Sequence, residues 1–582
     1  MRPRFVVAVA QQESMLTAIQ CRMREIEGQS TVSIVLEHAC VGVFAVGRQV
    51  QSLGNAGVVI GPLYRRGEKS AVNLEPYDQE AIVRSRGEWL IRNCWGGYVA
   101  VLADDQERRV DLIRAPLGDL ACYWSKLEGG VLFGSDLSLM HSAGMPPPAL
   151  EAEALARYLS AEDLRRPDTC LFEIRELQGG DRITVSDGSL VTDALWSPWT
   201  SAAEERQIAD PEEAARRVRD AALHCVGARA QDCSQIVLKL SGGLDSSIVG
   251  ACLHAAQRPF TALTLVTHDP AGDERGHARL VAQALGVPLL ERYRDPSQVD
   301  LERSAAAGLP RPTARAFTQE TARIAVEAAS ETGSGAIFDG GGGDNLFCSL
   351  QSARPIADCL MSELGRGQFW RTAETIAQLA QSSIWTVVRR AWLMRFRRSA
   401  DYPWDVDTRF LSADAQAQGG NAVAHPWLAA PKGALPGKAA HVALVAAAQS
   451  VAEGFDPEEA LPTYSPLISQ PLVEACLSVP SWLWFSRGRN RAVARHAFAS
   501  RLPAATVERR SKGAPDCFIA DLYESNRSKI RTLLMDGELR RHGLLDVPAL
   551  AHTLDDNKPV RGHEFLRIMR LVDAEAWARR WT

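Results

Sequence analysis

The sequence predicts two domains of different class, an α+β domain over residues 1–200 and an α/β domain over residues 210–582. Residues 1–200 contain many short β-prone runs separated by Gly, Asp and Asn, as turns between antiparallel strands require. From Pro211 onward, apolar runs alternate with amphipathic helical patterns, which is typical of a parallel sheet with crossover helices. The polar segment 193–210 lacks a clear period and is the predicted joint.

The strands of the first domain are predicted where short apolar runs rich in β-branched residues occur. These runs are Phe5–Val9, Val32–Leu36, Gly42–Val46, Gly57–Ile60, Tyr98–Leu102, Asp111–Ile113, Val131–Phe133 and Arg182–Val185. The second domain is predicted to begin with a helix over Pro211–Ala228, and a buried strand and a second helix follow over Ile236–Leu240 and Ser246–Ala256.

Composition limits the functional classes. The 582 residues are 46% hydrophobic and 23% charged with a net charge of -5, so we expect a soluble globular protein without a nucleic-acid partner. The longest apolar stretch, Val442–Ala448, is far shorter than the ~18 residues that span a bilayer, so no membrane partner is expected. Twelve cysteines without a CxxC pair predict reduced thiols, a cytoplasmic location and no zinc site.

The stretch Val237–Gly250 (VLKLSGGLDSSIVG) has the pattern of a strand that enters a phosphate-binding turn and continues into a helix. Gly242 and Gly243 allow backbone N–H groups to approach a polyanion, and the helix N-terminus adds its positive dipole end. The hydroxyls available in this turn are those of Ser241, Ser246 and Ser247. The turn has no lysine of the GxxxxGK[ST] type, whereas Asp245 can hold Mg²⁺, so release of pyrophosphate is favoured over transfer of the γ-phosphoryl group.

A second glycine cluster occurs in Ala336–Phe347 (AIFDGGGGDNLF), where a short strand again leads into glycines and an acid. In open α/β sheets, ligands bind beyond the carboxyl ends of the strands. Asp245 and Asp344 both follow strand ends, so we expect them to meet at one Mg²⁺–pyrophosphate group.

These two motifs, together with Thr264–Leu285, Pro466–Glu474 (PLISQPLVE) and Arg510–Gly513 (RSKG), resemble the synthetase half of the asparagine synthetase superfamily. Residues 94–137 and Thr169–Val185 are similar to its amidohydrolase half. The resemblance covers nearly the whole chain. It implies a sandwich of the N-terminal-nucleophile (Ntn) amidohydrolase type, followed by an α/β PP-loop ATP pyrophosphatase domain of the adenine nucleotide α-hydrolase-like class.

Three departures from the superfamily pattern narrow the function. Glutamine-hydrolysing members expose a cysteine after the initiator methionine, whereas this chain reads Met1–Arg2–Pro3, so the amidohydrolase domain is expected to be degenerate. Gly341 stands where β-lactam synthetases have a tyrosine, and Asn345 stands where the superfamily loop usually has Glu. The chain looks instead like the lasso-peptide cyclases, which Ser511–Tyr523 (SKGAPDCFIADLY) also resembles.

The resemblance implies an ATP- and Mg²⁺-dependent ligase that adenylates an Asp or Glu side chain of a precursor peptide and closes a macrolactam with the peptide's N-terminal amine. It implies that Asp245 and Asp344 bind the metal ion. It also implies that Lys512 neutralises negative charge on the α-phosphate or on the tetrahedral oxyanion. The nucleotide contacts that it implies are Leu240, Ser241, Gly242, Gly243, Asp245, Ser246, Ser247, Leu265, Gly342 and Gly343. The implied partners are the lasso precursor peptide, a leader peptidase and a leader-recognition protein.

Other functions and residues stay open at this level. The alternatives are an asparagine synthetase-like or β-lactam synthetase-like ligase for a small molecule, and a non-catalytic peptide-binding scaffold. Arg491 and Arg495 are expected to pair with surface acids rather than face the site, while Trp482 and Trp484 are expected in the core. The basic stretch Arg389–Arg398 (RRAWLMRFRR) is interpreted as a solvated helix face, with a local binding surface as the alternative.

Overall fold

The fold was analysed on a computed structural model, which describes residues 2–27, 32–38, 40–47, 49–68, 70–267, 272–396, 400–419, 423–452, 461–510, 516–555 and 562–582. The strands of these residues are β1 Arg4–Ala10, β2 Val32–Glu37, β3 Val41–Val46, β4 Val50–Ser52, β5 Gly57–Ile60, β6 Leu63–Arg65, β7 Cys94–Gly96, β8 Val99–Asp104, β9 Arg109–Arg114, β10 Tyr123–Leu127, β11 Gly130–Gly134, β12 Arg175–Glu176, β13 Asp181–Ser186, β14 Ser189–Ala194, β15 Ile236–Lys239, β16 Phe260–Val266, β17 Leu289–Tyr293, β18 Ala336–Phe338 and β19 Thr463–Tyr464.

The helices are α1 Glu13–Glu27, α2 Pro76–Arg84, α3 Glu88–Asn93, α4 Leu137–Ser142, α5 Ala152–Ser160, α6 Pro198–Ala202, α7 Pro211–Ala230, α8 Leu244–Ala255, α9 Arg275–Leu285, α10 Thr318–Thr332, α11 Gly343–Leu346, α12 Arg354–Met361, α13 Phe369–Leu379, α14 Ile384–Met394, α15 Ala413–Gly419, α16 Pro436–Ala452, α17 Gln470–Leu477, α18 Ala492–Phe498, α19 Ala504–Glu508, α20 Asp516–Ser525, α21 Arg527–Met535, α22 Glu538–Arg541, α23 Val547–Asp555 and α24 Glu564–Ala578. None of the described helices is long and apolar enough to cross a membrane.

The first part of the chain forms two antiparallel sheets that share one core. Their strand orders are β12-β10-β11-β1-β3-β2 and β14-β13-β9-β8-β5-β4. On β1, Phe5, Val7 and Val9 point into the core between the sheets, while Val6 and Ala8 point to the helices outside. This alternation follows from the two-residue period of a strand. All eight predicted apolar runs lie within or overlap observed strands, so the prediction of a sheet-rich domain is confirmed.

The second part contains a parallel sheet with the strand order β17-β16-β15-β18-β19, so the predicted α/β class is also confirmed. On β15, Ile236 and Leu238 belong to the large core on one face of the sheet. Val237 points to the opposite face, where it packs with residues of α10. The chain moves from β15 to β16 on one side, and β18 pairs with β15 on the other. The carboxyl ends of β15 and β18 therefore flank the topological switch point, where ligands bind in open α/β sheets.

The sandwich contacts the edge strand of this parallel sheet. The carbonyls of Pro462 and Tyr464 accept hydrogen bonds from the N–H groups of Ile337 and Asp339, whereas the carbonyl of Thr463 accepts from Nη2 of Arg2 at 2.6 Å. A second link between the two parts joins Arg66 to Glu474 through two hydrogen bonds of 2.6 and 3.0 Å. The two parts thus share polar contacts in addition to a continuous apolar core.

Candidate active site

The turn after β15 brings backbone and hydroxyl groups to the start of α8. Gly242 has a φ of 69°, and a Cβ there would lie 2.4 Å from the carbonyl carbon of His277, so only glycine fits. The Ser241 hydroxyl accepts a hydrogen bond from the N–H of Gly243 at 3.3 Å and lies 3.3 Å from the Ser246 hydroxyl. The turn is therefore folded against the helix N-terminus, which is the geometry expected of an anion-binding turn.

The turn after β18 packs directly on this first turn. A Cβ at Gly340 would lie 2.5 Å from the backbone nitrogen of Ser246, and one at Gly343 would lie 2.6 Å from Cβ and Cγ of Asp245. Gly340 is thus required by the close approach of the two backbones, and Gly343 by the side chain of Asp245.

The two turns line a cavity of about 360 Å³. Its walls are formed by Lys239, Ser241, Gly243, Leu244, Asp245, Ser246, Asp339, Gly340, Gly341, Gly342, Gly343, Asp344, Asn345, Arg491, Arg495, Thr506, Arg509 and Arg510. Backbone N–H groups and arginines therefore surround one cavity, which suits a polyanion such as a nucleotide phosphate chain.

Asp245 and Asp344 meet at this cavity, as the sequence predicts, but a guanidinium lies between them. Nη1 of Arg491 is 3.1 Å from both carboxylate oxygens of Asp245 and 2.5 Å from Oδ1 of Asp344. Arg491 has a φ of 56° at the N-cap of α18. The expectation that Arg491 faces the surface is therefore wrong.

Arg495 also lines the cavity, so the expectation that it pairs with acids on the surface is wrong as well. Its side chain is held by the carbonyls of Asn490 and Val507 rather than by an acid. Burial, followed by repulsion from Arg491 and Arg489, lowers the pKa of Arg495 to about 10, so the group remains a cation at neutral pH.

Further charged residues of the cavity escape the sequence analysis. Lys239 and Asp339, the last residue of β15 and the residue after β18, form an ion pair of 2.8 Å. Burial opposes the ionisation of Asp339, but Lys239 and the Ser465 hydroxyl outweigh it and lower the pKa of this carboxyl group. Polar residues at the ends of two adjacent apolar strands are the signal that could have identified this pair.

The predicted nucleotide contacts divide into two groups. Six line the cavity, as does the predicted metal ligand Asp344: Ser241, Gly243, Asp245, Ser246, Gly342 and Gly343. The others are Gly242, which shapes the turn, Leu240 and Ser247, which are buried, and Leu265, which packs on the α10 side of the sheet. Lys512 lies outside the described residues. The prediction of Trp482 and Trp484 as core residues is confirmed.

The donor set fits Mg²⁺ held jointly with phosphates. Among the described residues there is no cluster of three or more His, Cys, Asp or Glu side chains able to hold a metal alone. Mg²⁺, however, is commonly bound by one or two carboxylates plus substrate phosphates and water. Asp245 and Asp344 lie within hydrogen-bonding distance of the same nitrogen atom and so can reach a single cation.

Four of the five cysteines in the sandwich domain, Cys40, Cys94, Cys122 and Cys170, have a raised pKa, and the fifth, Cys21, is exposed on α1. Arg2 is buried at the start of β1, with its Nε 3.8 Å from Asp119. Burial is the largest cause that raises the pKa of Cys94, Cys122 and Cys170 to about 12. A thiol attacks as its thiolate, so these cysteines are poor nucleophiles at neutral pH.

Comparison with known proteins matches both parts of the chain. A family model described as asparagine synthase matches residues 217–579, and one described as a glutamine amidotransferase domain matches residues 78–196. The second match confirms an amidotransferase-like first domain. A search of curated proteins gave no match.

Two solved structures have low similarity to this chain. The glutamine phosphoribosylpyrophosphate amidotransferase of B. subtilis complexed with ADP and GMP is 9% identical, with a TM-score of 0.20. The match covers 50% of this chain and 65% of that chain. An allosteric regulatory enzyme of purine biosynthesis is 7% identical over 50% of this chain and 80% of its own, with a TM-score of 0.22.

Proposed function

We infer the function of this chain from its family: it belongs to the asparagine synthase family, whose ligase domain uses ATP to join a carboxylate and an amine in an amide bond. We propose that in this protein the carboxylate is an Asp or Glu side chain of a precursor peptide. We propose that the amine is the N-terminus of the same peptide. The product is then the macrolactam ring of a lasso peptide, and AMP and pyrophosphate are released.

The arrangement of the cavity supports the activation step. In that step a carboxylate oxygen bonds to the α-phosphorus of ATP, and the bond to the bridging oxygen of pyrophosphate breaks. The turn Ser241–Ser246 binds the leaving pyrophosphate in this proposal, as expected of a PP-loop, and Arg495 and Arg509 offset its charge. Asp245 and Asp344 would hold Mg²⁺, which neutralises phosphate charge when bound.

The second step forms the amide bond. The peptide amine attacks the acyl carbon, the bond to AMP breaks, and the amine loses one proton. Because both reacting groups belong to one peptide, holding them together makes the step effectively unimolecular, which can contribute ~7–11 kcal/mol.

The observation that carries the proposal is the raised pKa of four of the five cysteines in the amidotransferase-like domain, which makes these thiols poor nucleophiles. Arg2 contacts Asp119 and the Thr463 carbonyl. In this proposal the domain does not release ammonia from glutamine, and the nitrogen arrives on the peptide substrate. Gly341 brings no side chain to the cavity wall, which argues against the tyrosine-dependent chemistry of β-lactam synthetases.

The test uses the purified protein, ATP, Mg²⁺ and a synthetic core peptide, taken from a short gene beside this one, whose N-terminal amine is free. We expect AMP, pyrophosphate and a peptide that has lost one water. A peptide with the acceptor Asp or Glu replaced by Asn or Gln is the matched control and should remain linear. Asparagine formed from aspartate and ammonium would favour the small-molecule alternative, and a lack of ATP cleavage with every substrate would favour a scaffold.

The proposed partners follow from this chemistry. A core peptide with a free amine must be released from a longer precursor, so we propose that a leader peptidase and a leader-recognition protein act with this chain. Co-purification of the three proteins would support this arrangement, whereas full cyclisation of an intact precursor would contradict it.

A further inference from the structure

An apolar face is exposed on the outer side of α13 and α14. It consists of Trp370, Trp385, Trp392, Leu393 and Phe396, and their exposed fractions are 57%, 70%, 53%, 50% and 64%. The rings of Trp370 and Trp385 lie 6.4 Å apart, and those of Trp392 and Phe396 lie 4.7 Å apart. We call these five side chains the aromatic face.

Packing within the protein does not account for the aromatic face. Helix α14 already has an inward stripe, in which Val387 and Ala391 are buried against the large core. Trp385 and Trp392 are seven residues apart, which places them on a second stripe of the same helix, and Phe396 follows four residues later, just beyond the end of α14. A contiguous exposed apolar patch of this kind marks an interaction site.

Positive charges outnumber negative charges beside the aromatic face. Arg389, Arg390 and Arg395 are exposed on α14 and just beyond it, and residues 384–396 contain no acid. On α13, Arg371 is exposed next to Trp370, and one acid, Glu374, is exposed four residues after Trp370. This excess of arginine contrasts with the net charge of -5 of the whole chain and favours a partner that carries negative charge.

We propose that the aromatic face is a peripheral docking surface for an anionic lipid bilayer. The rings would enter the boundary between headgroups and acyl chains, where Trp is enriched, while the arginines contact lipid phosphates. The helices lie flat in such a contact, so no spanning segment is needed. The proposal replaces the expectations that Arg389–Arg398 is only a solvated face and that the protein has no membrane partner.

The test is co-sedimentation of the full chain with vesicles of phosphatidylcholine alone or of phosphatidylcholine with phosphatidylglycerol. We expect binding to the anionic vesicles with a blue shift of Trp emission, and little binding to the neutral ones. The triple variant Trp385→Ser, Trp392→Ser, Phe396→Ser should bind on the order of 1000-fold more weakly, since each of the three rings contributes roughly tenfold. Phe172→Ser removes an equally exposed ring, 58%, far from this face in sequence and should bind like the wild type.

A second variant separates charge from apolar burial. Replacing Arg389, Arg390 and Arg395 by Gln should remove the preference for anionic vesicles. Unchanged melting temperatures would show that all variants fold. Equal binding of the wild type to both vesicle types, or wild-type binding by the triple variant, would overturn the proposal. A wild-type dimer that the triple variant dissociates would assign the face to a second copy of the chain and overturn it as well.

Discussion

Replacing Arg491 by Gln tests whether its guanidinium and Mg²⁺ compete for the same two carboxylates. The side chains of Arg491 and Asp245 are 12% and 9% exposed, while that of Asp344 is 38% exposed. Breaking a buried ion pair costs ~3–5 kcal/mol and breaking an exposed one ~0–1 kcal/mol, so this intermediate case should cost ~2 kcal/mol without metal.

Mg²⁺ should offset this loss, because it supplies the missing positive charge. By linkage, a competition of ~2 kcal/mol corresponds to about 30-fold tighter Mg²⁺ binding by the Arg491→Gln variant. Calorimetric titration with MgCl₂ in the absence of nucleotide measures this affinity. The melting temperature should fall in chelator and recover in MgCl₂.

Arg279→Gln is the matched control, because Arg279 forms an ion pair with Glu291 on the surface. Its Mg²⁺ affinity and its melting temperature should remain those of the wild type. Equal or weaker Mg²⁺ binding by the Arg491→Gln variant, or a melting temperature that does not respond to MgCl₂, would refute the competition between guanidinium and metal.

Three further predictions concern the site and the domain core. Asp245→Asn should lower the rate of AMP formation, measured by chromatography, at least about 100-fold. The control Asp300→Asn changes an exposed acid and should leave this rate unchanged. Equal rates for Asp245→Asn and the wild type would exclude a metal-holding role. Gly340→Ala should reduce ATP affinity by pushing the two turns apart, whereas a Cβ at Gly335 meets no atom within 4 Å and Gly335→Ala should bind ATP normally. Burial alone would raise the pKa of Glu176, but three arginines lower this pKa from 4.5 to about 2. The ionised form of Glu176 therefore stabilises the fold above pH 4.5, and this contribution disappears as the pH falls towards 2. Glu176→Gln should therefore melt below the wild type at pH 7, and the gap should narrow below pH 4.5; a constant gap would contradict the assignment.

Local sequence patterns were enough to predict the two glycine turns that line the cavity. A strand, a glycine turn and a helix start follow one another in Val237–Gly250, and the second glycine run repeats the first two parts. The rule that ligands bind beyond the carboxyl ends of parallel strands then brings Asp245 and Asp344 together. The structure places both on one cavity.

The cationic wall could not be predicted in the same way. Arg491 and Arg495 are one helical turn apart, and this spacing is equally typical of a solvated face. Their position depends on how the segment 486–510 packs against the two turns, which is a tertiary contact. The left-handed backbone conformation of Arg491 could not be predicted either, because arginine rarely adopts a positive φ.

The strand order of the sandwich could not be predicted from the sequence either. β1 lies between β3 and β11, and its pairing with β11 joins residues more than a hundred positions apart. The alternation of apolar residues predicts the strand itself. It does not say which of several similar strands becomes the neighbour.

The hydrogen bond from Arg2 to Thr463 gives the amidotransferase-like domain a structural position at the edge of the parallel sheet. β19 is the last strand of the parallel sheet, and its outward carbonyl would otherwise be an open pairing site for another chain. The sandwich covers this edge as a helix or loop does in other proteins. The contact with Arg2 therefore leaves the Thr463 carbonyl of this edge strand unavailable for pairing with a strand of another chain.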